Sequence, residues 1–147
     1  MPHHDEGSEL YAVIRALCYE HRELPSISPS WLAMEAMQRI GFARSTHDLG
    51  WIGCNLQFRQ IARAYCRKHF DPAERVQQPD FFPDALQERY PLPPAGDAEP
   101  EYVLLHLMDQ TPLRYNVGRL RKVADASARH ADALEAWTDR KFGQQAA

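Results

Sequence analysis

Asn55-Leu56-Gln57-Phe58-Arg59-Gln60-Ile61-Ala62-Arg63-Ala64-Tyr65-Cys66-Arg67-Lys68-His69 is the stretch that decides the fold class. Phe58, Ile61, Ala62, Tyr65 and Cys66 recur three and four residues apart, which stacks them on one side of a helix. Arg59, Arg63 and Arg67 follow at i, i+4 and i+8, a second row along the same element. The spacing predicts a helix from about Asn55 to His69. Gly50 and Gly53 predict a loop over 42–53 ahead of it, with Trp51 and Ile52 holding that loop to the core.

Toward the N-terminus the same periodicity returns. Leu10, Val13, Ile14, Leu17 and Cys18 form one stripe, so a helix is expected from about Glu9 to Glu23, capped by Ser8 and ended by Pro25. A second helix follows Pro29. Ser28-Pro29 places a capping oxygen before a proline that already has the helical φ. Trp31, Ala33, Met34, Ala36, Met37 and Ile40 are its expected buried side. Glu35 and Arg39 can pair on its surface, and Gly41 is a suitable stop.

Toward the C-terminus the chain becomes proline-rich and acidic. Residues 71–101 carry eight acids against two arginines, Arg75 and Arg89. Asp71-Pro72 with Glu74 resembles a capping box, and short turns are expected near Pro72 and Pro83. Tyr90-Pro91-Leu92-Pro93-Pro94-Ala95-Gly96 predicts an extended connector. The apolar run Tyr102 to Met108 fits a buried helix or a buried strand. Pro100 between two glutamates, and no evident partner strand, favour helix. Thr111-Pro112 predicts one more start. Leu113, Val117, Leu120, Ala124, Ala131 and Leu134 then carry a single long helix to about Lys141, roughly 45 Å if unbroken, with Ser127 the candidate kink. Residues 143–147 are expected to form a flexible tail.

The fold class predicted is therefore all-α: one irregular helical bundle over residues 1–142 with a long C-terminal helix. The length of 147 residues allows a sizeable core without disulfide or metal. Cys18, Cys54 and Cys66 have no paired spacing, which points to reduced thiols and a cytoplasmic setting. The N-terminus has no apolar signal region, and no run is long enough to span a bilayer, so no membrane role is expected.

Charge segregation is the clearest functional signal. The net charge of −3 excludes a uniformly basic coat. Yet Leu49 to Phe70 holds Arg59, Arg63, Arg67 and Lys68 with no acid, and Thr111 to Val123 holds Arg114, Arg119, Arg121 and Lys122 with no acid. Stacked like charges repel on an isolated helix, and Arg114 near a helix start meets the dipole unfavourably. Something must offset both. The candidates are a polyanion, with Gln57 and Gln60 able to bond phosphate or base edges, or the chain's own acids between the two clusters.

The leading functional expectation is a small accessory or regulatory protein that binds a polyanion, DNA or RNA first. Gln57, Arg59, Gln60, Arg63, Arg67 and Lys68 would be the contacts, extended by Arg114, Arg119, Arg121 and Lys122. The alternative is a protein–protein adaptor or inhibitor. It would use the acidic segment or the long C-terminal helix, whose Ala126, Ala128, Ala131, Ala133 and Ala136 suit close packing, with a second copy among the candidate partners.

Other chemistry is weaker. His47, Cys54, Cys66 and His69 lack a paired metal-binding spacing, so no metal ligands are assigned. A Cys54 or Cys66 nucleophile with a histidine base is conceivable, but no catalytic residue is assigned. No cofactor motif is present, and the loop before the third helix is too long for a DNA-binding helix-turn-helix.

Overall fold

The computed structural model describes residues 8–41, 49–75, 85–122 and 125–143, with backbone alone for 125–127. These residues are mostly helical. The backbone contacts separate into two compact units, Met1–Cys66 and Arg67–Ala147.

In the first unit, α1 spans Glu9–Glu20, α2 spans Pro29–Arg39, and α3 starts at Leu49 and runs on to Phe70. Ser8 and Ser28 act as expected, their hydroxyls accepting from Tyr11 N at 3.1 Å and from Trp31 N at 3.2 Å. α1 stops a turn before the predicted end, and Arg22 N and Leu24 N turn back onto Tyr19 O and His21 O. A two-residue strand, β1 (Ser26–Ile27), leads into α2. Gly41 ends α2 with φ +82°, its N–H bonded to Gln38 O. That left-handed conformation suits glycine at C′.

Tyr11, Ile14 and Leu17 of α1, Leu32, Ala33, Ala36 and Met37 of α2, and Phe58, Ile61, Ala62 and Cys66 of α3 are buried. Leu32 takes the core position on α2, while Ile40, expected inside, is exposed. Arg39 reaches across to Glu20 of α1 with both guanidinium nitrogens. This fork lowers the Glu20 carboxyl below its ordinary range. Tyr11 and Tyr65 meet edge-to-face at 5.7 Å, as do His21 and Trp31 at 5.1 Å.

The predicted loop over 42–53 is corrected at its C-terminal end, because α3 already begins at Leu49. Gly50 and Gly53 each cost about 1 kcal/mol in a helix. Trp51 and Ile52 are half-buried and Asn55 is buried, its amide 3.7 Å from Met34 Sδ. Packing of that face outweighs the glycine propensity. The remainder of that loop, 42–48, lies outside the described residues.

The second unit carries the larger corrections. α4 is a single turn, Pro72–Arg75, capped by Asp71, whose Oδ1 accepts from Ala73 N at 3.1 Å. The turn expected near Pro83 lies outside the described residues. Tyr90-Pro91 is no bare connector. Arg89–Pro91 forms β2, and Tyr102–Leu104 forms β3 where a helix was predicted. They pair antiparallel, Arg89 opposite Leu104, Tyr90 opposite Val103 and Pro91 opposite Tyr102. Leu105 N to Glu88 O and Leu92 N to Glu101 O extend the ladder at either end.

Pro91 masks this strand in the sequence because it lacks the amide a ladder normally uses. At the end of a three-residue strand that loss is tolerated. Beyond β3 the chain makes one 3-10 turn over Leu105–Leu107.

The single long helix is also corrected. α5 spans Gln110–Leu120 after Asp109, so Thr111-Pro112 lies inside its first turn and does not cap it. A turn at Arg121 and Lys122 interrupts the run, and α6 spans Asp125–Gly143, so Ser127 marks no kink. The C-terminal helix is thus 19 residues, about 28 Å.

Tyr90, Met108, Leu113, Val117, Leu120, Ala131 and Leu134 form the core of this unit, with Leu92, Trp137 and Phe142 packed against it. The heptad-like apolar spacing is therefore shared between two packed helices. Within this core the fully buried His130 Nε2 lies 2.9 Å from the Tyr90 hydroxyl. Of the predicted tail only Gly143, at the end of α6, is described.

Candidate polyanion-binding surface

α3 is one continuous helix of 22 residues without a carboxylate. Its buried side is fixed by Phe58, Ile61, Ala62 and Cys66, as the sequence predicts. Gln57, Gln60 and Arg63 fall on the other side and are exposed. Arg59 lies between the two faces, half-buried, with its Nε enclosed and lacking a hydrogen-bond partner among the described residues. An enclosed N–H left unmatched carries a desolvation penalty. Arg67 and Lys68 are half-buried in the last turn of the helix.

The second basic cluster has a different electrostatic setting. Arg114 Nη1 lies 3.3 Å from Glu135 and Nη2 lies 2.5 Å from Asp139. Arg121 meets Glu135 and, at 3.5 Å, Asp132. Arg119 forks onto Asp71 at 3.1 and 3.3 Å. Arg114 faces Asp139 while Arg121 faces Asp132, so the helices run antiparallel and the acids of α6 line the arginines of α5. The poor placement of Arg114 against its helix dipole is offset by two carboxylates. Lys122 is exposed. Neither α3 nor α5 contains a carboxylate, and the arginines at α5 meet Asp71 and the acids of α6 within their own unit.

Cys66 is buried, and Cys54 and His69 are half-buried. Burial pushes the Cys54 thiol up, away from the thiolate that nucleophilic or metal chemistry needs. Among the described residues no three His, Cys, Asp or Glu side chains gather as a metal-holding cluster. His47 lies outside them. On α6, Ala131 and Leu134 are buried in the core shared with α5, so the expected small-residue face is partly engaged within its own unit. No helix among the described residues is long and apolar enough to cross a membrane.

Sequence reading overlooked Leu49 and Leu56, the first 84% and the second 51% exposed. The signal was present. Leu56 precedes Phe58 by two residues, about 200° around a helix, which sets it opposite the buried stripe. It also overlooked the Tyr90–His130 pair, whose members are forty residues apart in sequence.

Fold and surface together define a mostly helical protein whose acid-free helices α3 and α5 carry its two basic clusters. Compared with protein families, curated proteins and solved structures, the chain matches no family model, no curated entry and no solved structure.

Proposed function

We propose that the protein binds a polyanionic macromolecule through α3, with Gln57, Arg59, Gln60 and Arg63 as the contacts and Arg67 and Lys68 extending them by a turn. One observation carries this reading. Along 22 residues that contain no carboxylate, α3 presents Gln57, Gln60 and Arg63 on its exposed side, with Arg59 half-buried beside them. The amides add hydrogen-bonding capacity next to the charge.

The reading predicts a salt-dependent complex. Three or four ionic contacts give a log–log salt slope of roughly −2 to −3.5. The test titrates a labelled oligonucleotide, beside a polyglutamate of equal charge, by fluorescence anisotropy at rising salt. Binding that weakens with that slope, and is lost in Arg63→Glu but kept in Arg121→Gln, supports it. Absence of binding to both probes at about 50 mM salt removes it.

A further inference from the structure

We draw no further inference here: the strongest candidate, the exposed apolar strip of Leu49, Gly53 and Leu56 along the N-terminal half of α3, carries none because nothing in the structure shows what covers it.

Discussion

Replacing Tyr90 with Phe removes one oxygen and disturbs two hydrogen bonds in the core of the second unit. The Tyr90 hydroxyl lies 3.1 Å from the backbone N–H of Gln87, which can only donate, so the oxygen accepts there. The hydroxyl also lies 2.9 Å from His130 Nε2, and which of the two donates depends on the imidazole tautomer. Both residues are fully buried.

Without the hydroxyl, the buried His130 Nε2 loses that hydrogen bond, whichever atom donates it, a loss of about 1–3 kcal/mol. The Gln87 amide is partly reached by solvent and adds less, so the sum is about 2–3 kcal/mol. For a cooperative unit of the size of Arg67–Ala147 each kcal/mol moves the midpoint by about 4–8 °C. The expected fall is thus roughly 10–20 °C.

Urea denaturation followed by Trp137 fluorescence, with the other tryptophans replaced, measures it. The double variant Tyr90→Phe, His130→Leu removes both partners and should recover about 1 kcal/mol relative to additivity. A loss under about 0.5 kcal/mol in Tyr90→Phe, or strict additivity in the cycle, refutes the reasoning.

Three further outcomes follow from the same structure. Gly53→Ala should stabilise the first unit by about 0.5–1 kcal/mol, because Gly53 is mid-helix with open space at its Cβ, whereas Gly41→Ala, at φ +82°, should destabilise by a similar amount; paired urea curves check the opposite signs. Leu134→Ala empties a fully buried site and should cost about 2–5 kcal/mol by the same measurement. Burial holds the Tyr90 phenol in its neutral form well above the ordinary range. The unfolded phenol releases its proton near pH 10 while the folded one keeps it, so stability falls as pH rises from there, by up to about 1.4 kcal/mol per pH unit. Alkaline unfolding followed by tyrosinate absorbance should show this group ionising only with the transition, and Tyr90→Phe should flatten the slope.

Local signals in the sequence proved dependable where they depend on neighbours a few residues away. Ser8, Ser28, Gly41 and the Phe58–Ile61–Ala62–Cys66 stripe need only one turn of backbone to act, and each acts as read. The errors share the opposite property. β3 exists because Tyr102–Leu104 finds Arg89–Pro91 across ten intervening residues, and proline disguises that partner. The division of the long helix into α5 and α6 preserves the apolar periodicity, so spacing alone could not show it. α3 gains a turn and a half at its start because Asn55, Trp51 and Ile52 pack, a tertiary gain that two glycines conceal.

The candidate surface follows the same division. The acid-free row of α3 can be read directly from the sequence. The carboxylates that meet Arg114, Arg119 and Arg121 lie between 11 and 48 residues away along the chain. Only the fold brings them together.

Residue-resolved NMR titration of the intact protein with the polyglutamate probe asks most directly where an anion lands. The account predicts that amide and side-chain shifts move at Leu56, Gln57, Gln60 and Arg63, reverse on adding salt, and leave Arg114, Arg119 and Arg121 still. Shifts concentrated on α5 and α6, with α3 unmoved, would contradict it.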